Sequence, residues 1–167
     1  MPVRISMDRH LQRRLRMRNG HPRILFVCMA NINRSQIAAA VFNKLSGSHM
    51  ATSAGIAPKP GSVGMPIWKD SHNPIIPLRD AGYNLVGARV RRLNARMVGQ
   101  ADMVVLLFDK KKHGDILPAY LRRFRTLEWW DVQSISDDTT IEEYRRLERR
   151  RIKLIERLVK DLYRRVA

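Results

Sequence analysis

Two short runs, Ile24-Leu25-Phe26-Val27 and Met103-Val104-Val105-Leu106-Leu107-Phe108, are apolar at every position and rich in strand-forming residues. A strand with one wet face alternates apolar and polar side chains. Uniformly apolar runs of this length therefore belong to strands covered on both faces. Helical periodicity follows the first of them: Ser35 to Leu45 sets Ile37, Ala38, Val41, Phe42 and Leu45 on one face, and Gly47 ends the segment. Strands alternating with helices imply a parallel sheet between helical layers. The expected fold is α/β: a single three-layer domain with a central four-stranded parallel sheet and helices on both faces.

The other elements follow from weaker signals. Met50 to Ala54 reads as a strand, as does Thr126 to Trp129, and a further strand is possible around Val90. Pro58 to Pro77 is rich in Gly and Pro and reads as a loop with short helical turns. Ile75 to Ala81 suggests a brief helix stopped by Gly82, Asn94 a cap for one helical turn, and Pro118 to Phe124 another helix. Thr140 with Glu143 three residues on forms a capping box. It opens a final helix whose apolar stripe is Ile141, Tyr144, Leu147, Leu154, Leu158 and Leu162. Residues 1–22 stand apart as a basic arm, with six arginines against one acid, Asp8, and with Met7, Leu11 and Leu15 at the spacing of a short amphipathic helix. The division is an arm over 1–22 and a domain over 23–167.

Composition narrows the function classes. No apolar stretch approaches the roughly 20 residues that span a membrane, and no signal-peptide core is visible. A single cysteine, Cys28, excludes an intrachain disulfide and a multi-cysteine metal site. The five histidines lie far apart, so neither a metal nor a cofactor is expected. Cytoplasm is the default address, although an arginine-rich arm is compatible with a mitochondrial transit peptide. The net charge of +17 draws anions such as phosphorylated proteins, nucleic acid or acidic lipid. The bland alternative is that many of these charges merely solvate helix faces, the usual role of a run such as Arg-Arg-Leu-Glu-Arg-Arg-Arg at 145–151.

The chemistry concentrates in the eight residues Cys28-Met29-Ala30-Asn31-Ile32-Asn33-Arg34-Ser35. Cys28 falls at the carboxyl end of the first strand and Ser35 at the start of the first helix. Ligands of parallel α/β sheets sit at that edge. A tight loop there turns successive N–H groups inward as an anion nest, and the helix N-terminus adds partial positive charge. Arg34 can clamp two oxygens of a phosphate with a planar fork, which lysine cannot do. A cysteine at the base of such a loop is favoured as the thiolate. Ser35 can donate to it, and Asn31 can brace the loop backbone. The bland alternative is a buried core thiol.

At these residues the sequence resembles the low-molecular-weight protein tyrosine phosphatases, in which a strand ends in Val-Cys, an Asn follows three residues on, and Arg-Ser closes the loop. Phe26-Val27-Cys28-Met29-Ala30-Asn31-Ile32-Asn33-Arg34-Ser35 has each of these features. Thr52 to Ile56, Leu78 to Leu93 and Ala101 to Asp109 are similar to further family segments. The resemblance runs from about residue 23 to the C-terminus. It implies a phosphatase that hydrolyses phosphate monoesters, protein phosphotyrosine above all, through a phosphocysteine intermediate on Cys28. Arg34 would stabilise the transition state, while Met29, Ala30, Asn31, Ile32, Asn33 and Ser35 would bind the substrate. The partners it implies are a phosphorylated protein or another phosphomonoester, with polyanion contact possible through the arm.

The chain also departs from the family pattern. Ala30 stands where a loop glycine is usual, Asn33 where many members carry a second cysteine, Lys59 where an aromatic often lines the cleft, and Ala88 where a histidine often precedes the arginine segment. The Asp-Pro pair that carries the family's general acid is absent. Asp131 is the first candidate for that role and Asp137 or Asp138 the second. In the register of relatives with a Trp-Asp pair three residues earlier, the acid's place falls to Ser134. Two alternatives stay open: a phosphate- or phosphoprotein-binding module lacking the acid, and an arsenate reductase using an external thiol. The thioredoxin-coupled version needs additional cysteines, which this chain lacks.

Overall fold

The computed structural model describes residues 22–85 and 87–166, together with Arg9; the expected helix of the basic arm lies outside the described residues. In chain order the elements are β1 (Ile24–Cys28), α1 (Arg34–Ser46), β2 (Ala51–Gly55), α2 (Ile75–Asp80) and α3 (Ala95–Gln100). They continue with β3 (Met103–Leu107), α4 (Lys110–His113), α5 (Ala119–Arg122), β4 (Leu127–Trp130) and α6 (Ile141–Val166). The four strands form one parallel sheet in the order β2-β1-β3-β4. The two uniformly apolar runs are the two central strands, and every residue of both is buried. Edge strand β4 alternates instead, with Glu128 and Trp130 buried and Leu127 and Trp129 half-buried.

Alternate residues of β1 feed two separate cores. Ile24 and Phe26 face α1 and α6, packing with Ile37, Val41 and Phe42 and with Ile152, Ile155 and Val159. The Phe26 ring lies 6.3 Å from that of Phe42 and 5.8 Å from that of Trp130. Leu25 and Val27 face the opposite side, with Val98 of α3, Leu121 of α5 and Phe108. Full burial of each such side chain is worth about 1.5–3 kcal/mol. This is the three-layer arrangement expected from the sequence. No helix among the described residues is long and apolar enough to cross a membrane.

Asn94 caps its turn as the sequence implied, and Thr140 makes the forward bond of the expected capping box. Asn94 Oδ1 accepts from Met97 N at 2.9 Å and Thr140 Oγ1 from Glu143 N at 3.2 Å. Helix α4 was not expected; the Asp109 side chain caps it by accepting from Lys111 N.

Two expectations differ from what forms. Around Val90 no strand develops, only isolated bridges of Arg89 to Pro66 and Arg92 to Gly55. Val90 exchanges backbone bonds with Gly64 and Met65, whereas Arg91 O and Leu93 N turn to Gly55. A chain that changes partner within two residues cannot build a ladder. In α6 the buried apolar positions are Ile152, Ile155, Val159, Leu162 and Val166. Leu147, Leu154 and Leu158 flank them half-buried, and Ile141 is exposed. The face is rotated from the expected stripe, which turns Glu148 and Arg151 inward at the level of the loop after β1.

Candidate active site

Cys28 ends β1 at the carboxyl edge of the sheet, opposite Gly55 at the end of β2. The loop after Cys28 lies directly against Gly55. A Cβ there would come within 2.8 Å of Met29 O and 3.0 Å of Asn31 N, so only glycine lets β2 approach so closely. Ile56 N donates to Cys28 O and Ala57 N to Met29 O, extending the β1–β2 contact into the loop.

Asn31 organises the loop. Its φ of 58° is left-handed, a conformation asparagine adopts more readily than most residues. Ala30 does not take positive φ, so the alanine in the usual glycine position carries no strain of that kind. Asn31 is buried and its amide serves on both ends. Oδ1 accepts from Arg91 N at 2.8 Å and from Gln36 Nε2 at 3.2 Å. Nδ2 donates to Ser53 Oγ at 3.0 Å and to Ser35 Oγ at 2.9 Å. Ser35 Oγ also lies 3.0 Å from Cys28 Sγ. With one lone pair taken by Asn31, the hydroxyl keeps its hydrogen and can donate it to a Cys28 thiolate, which has no proton of its own to give.

Arg34 opens α1 and is buried, with Nη1 donating to Val132 O at 2.9 Å just past β4. That bond anchors the guanidinium and leaves its other donors for a ligand. Burial holds the Arg34 pKa below its ordinary value; the charge of Cys28 acts in the opposite sense and nearby Arg151 in the same one. Arg151 is itself buried and paired with Glu148, Nη2 to Oε2 at 2.5 Å. Glu148 also accepts from Asn33 Nδ2 at 2.6 Å, tying the loop to α6. Asn33 Oδ1 and Arg151 Nε are buried without a hydrogen-bond partner among the described residues.

An open cleft lies above these groups. It is lined from the loop by Cys28, Ala30, Ile32, Asn33 and Arg34 and from α6 by Tyr144 and Arg151. Lys59, Asp70 and His72 line one wall, and Ser134, Ile135 and Asp137 another. Met29, Asn31 and Ser35 stand behind it, acting through backbone and through the hydrogen bonds above. Of the aspartates considered as general acid, Asp137 lines the cleft, whereas Asp131 and Asp138 do not. Ser134, at the acid's place in the alternative register, also lines it.

Several residues of this site went unnoticed in the sequence: Gln36, Ser53, Asp70, His72, Glu148 and Arg151. Asp70 is largely buried, 2.7 Å from Lys59 Nζ. Burial pushes its carboxyl up, but hydrogen bonds from Lys59 and the His72 N–H outweigh this and hold it below the ordinary value. Burial and then Glu148 raise the pKa of Tyr144, so the ring on the cleft wall stays neutral. Nothing local marks these residues, because they meet only through the fold.

Residues 23–167 match the family described as low molecular weight phosphotyrosine protein phosphatase. No curated protein matches the chain by sequence. Solved structures do resemble it in fold. Wzb of Vibrio vulnificus, in complex with benzylphosphonate, is 21% identical with a TM-score of 0.71, over 87% of this chain and 99% of that one. The thioredoxin-dependent arsenate reductase of Corynebacterium glutamicum is 22% identical with a TM-score of 0.59, over 94% and 68%. The arginine phosphatase YwlE of Geobacillus stearothermophilus is 24% identical with a TM-score of 0.58, over 84% and 92%. These likenesses establish the fold and leave the substrate open. With the family match spanning the whole sheet and the loop after Cys28, the chain belongs to the low molecular weight phosphotyrosine protein phosphatases.

Proposed function

We propose that the protein hydrolyses phosphate monoesters, protein phosphotyrosine among them, through a phosphocysteine formed on Cys28. One observation carries this reading. The Cys28 sulfur lies 3.0 Å from the Ser35 hydroxyl, which Asn31 holds in place, on the same cleft as the buried Arg34. A core thiol has no need of a positioned hydroxyl or of a guanidinium beside it. The sulfur attacks phosphorus as the ester oxygen departs, and water then displaces the sulfur. Arg34 and the loop N–H groups stabilise the charge that spreads over the phosphoryl oxygens.

The test is turnover of p-nitrophenyl phosphate. Cys28→Ser is expected to abolish it while vanadate binding persists. A variant that keeps more than a few per cent of the rate overturns covalent catalysis by this residue. Binding of a phosphopeptide without turnover by the unaltered chain would favour the acid-deficient binding module instead. Thiol-dependent arsenate reduction without ester hydrolysis would favour the reductase reading. A thiol catalyst that has to stay reduced suits a cytoplasmic address.

The arm over 1–22 is proposed to serve outside the chemistry, because the family match begins at residue 23. Deleting it is expected to leave turnover of a small aryl phosphate unchanged and to weaken association with polyanions. On double-stranded nucleic acid each lost phosphate contact lowers the log–log salt slope by about 0.9. Collapse of turnover with an unchanged slope would assign the arm to the catalytic fold.

A further inference from the structure

The chain carries no Asp-Pro pair and the expected donor, Asp131, is exposed and off the cleft. The imidazole of His72, by contrast, lines the same cleft as Cys28 and Arg34. Contacts from four residues fix the place of His72. Asn33, in the loop, donates from Nδ2 to His72 O at 3.0 Å, which ties the residue to the nucleophile loop itself. The Tyr144 ring packs on the imidazole with centroids 5.1 Å apart and planes at 56°, and its hydroxyl reaches His72 O at 3.4 Å. Asp70 Oδ1 accepts from His72 N at 2.8 Å and stands 3.5 Å from Nδ1. On the far side of the ring, Nε2 is 3.4 Å from Asp137 Oδ1.

The two carboxylates differ in kind. Asp70 is 17% exposed and held by Lys59, so it is a fixed group behind Nδ1. Asp137 is 87% exposed and belongs to a segment held by its own turns. Its carboxylate can give way when an ester enters the cleft, and Nε2 then faces the space it vacates. A carboxylate behind one ring nitrogen orients the imidazole and stabilises the imidazolium, leaving the other nitrogen to exchange a proton.

We propose that His72, oriented by Asp70, donates the proton to the leaving group and does the work of the absent Asp-Pro aspartate. The assignment rests on the phosphatase reading above. In the first step the S–P bond forms and the P–O bond to the leaving group breaks. The Nε2 proton passes to the departing oxygen, leaving a neutral imidazole with Nδ1–H toward Asp70. In the second step Nε2 takes a proton from water as the water oxygen bonds to phosphorus. The S–P bond breaks, and thiolate, imidazolium and inorganic phosphate result. The charged and titratable groups around the ring are Asp70 with Lys59, Asp137, Tyr144 and the Glu148–Arg151 pair of α6.

The experiment compares phenyl phosphate, a poor leaving group, with 2,4-dinitrophenyl phosphate, a good one that needs little protonation. In kcat/KM, which reports the steps up to departure of the leaving group, His72→Gln is expected to slow phenyl phosphate by about 10²–10⁴-fold, the scale of general acid catalysis, and dinitrophenyl phosphate only slightly. The alkaline fall of kcat/KM for phenyl phosphate, which tracks loss of the donor's proton, should vanish in this variant. Asp70→Asn keeps the imidazole and loses its orienting charge. It should give a smaller loss with the same leaving-group dependence, which keeps the test decisive if His72→Gln folds poorly. Equal losses of kcat/KM on both esters, or a leaving-group effect that appears in Asp137→Asn or Asp131→Asn and not in His72→Gln, overturns the assignment. An unaltered chain with no turnover and no burst of dinitrophenol fails the phosphatase reading itself, and His72 with it. That outcome is distinguishable because it appears before any substitution is made.

Discussion

The loop 28–35 and the segment 131–140 face each other across one cleft and are built in opposite ways. In the loop, Asn31, Arg34 and Ser35 are buried, and each is held by a hydrogen bond to a neighbour within the fold. In the segment, Asp131, Ser134, Ser136, Asp137 and Asp138 are exposed. Its polar contacts are mostly internal, such as Thr139 Oγ1 to Ser136 O and Asp138 N to Ser136 Oγ. Burial removes water as an alternative partner, so each bond in the loop specifies geometry. Exposed groups keep that alternative and are replaced at little cost. A nucleophile and a transition-state clamp need fixed positions. A proton donor can be supplied from any side of the cleft, and in the proposed mechanism it comes from His72, on the wall that also carries Lys59 and Asp70.

The largest way to break this comparison is Arg34→Lys. The substitution keeps the positive charge and loses the planar fork, along with the bond from Nη1 to Val132 O. Turnover is expected to fall by at least about 10²–10³-fold, the cost of removing one transition-state donor. The loss should be equal for good and poor leaving groups, because the clamp acts on the phosphoryl oxygens and not on the departing one. A loss confined to poor leaving groups would move Arg34 into the donor half of the site.

The same contrast explains what the sequence made legible. Cys28, Asn31, Arg34 and Ser35 lie within eight residues between an apolar strand and a helix, so spacing alone brings them together. The central strands were readable because uniform burial leaves no polar position in Ile24–Cys28 or Met103–Leu107. His72 and Glu148 reach the site from 39 and 115 residues away from Asn33, through bonds no local pattern announces. The stripe of α6 was misjudged for a related reason. Apolar residues on adjacent faces competed, and the face that won is the one that carries Glu148 and Arg151 to the loop.

A smaller effect sharpens the rigid side of the comparison. Gly55→Ala puts a Cβ 2.8 Å from Met29 O, and neither backbone can yield without shifting the loop. Overpacking of this kind costs about 1–3 kcal/mol, and for a chain of this size each kcal/mol lowers Tm by about 2–4 °C. Stability and kcat should fall together, on every ester. Ser136→Ala in the opposite segment removes one turn bond, Asp138 N to Ser136 Oγ, that water can replace, and Tm should stay within a degree or two. If Gly55→Ala moved neither quantity, the loop would be less tightly determined than its hydrogen bonds imply.

The smallest effect separates Asp70 as a structural group from Asp70 as an orienting one. Its folded pKa lies below the reference 3.8. Between 3.8 and that lower folded value the unfolded chain therefore binds more protons than the folded one, and stability falls as pH drops through this window. Above it the contribution is fully present. Asp70→Asn should remove this part of the acid limb, so that urea midpoints measured from pH 5 down to pH 3 decline less steeply than in the unaltered chain. Near neutrality the change should be slight, because the partner Lys59 is 54% exposed and such pairs are worth about 0–1 kcal/mol. A variant that is nearly as stable at pH 7 yet loses more kcat/KM on phenyl phosphate than on dinitrophenyl phosphate isolates the orienting role. If instead the midpoint at pH 7 falls sharply and both esters slow alike, Asp70 holds up the cleft wall and His72 owes its position to Asn33 and Tyr144.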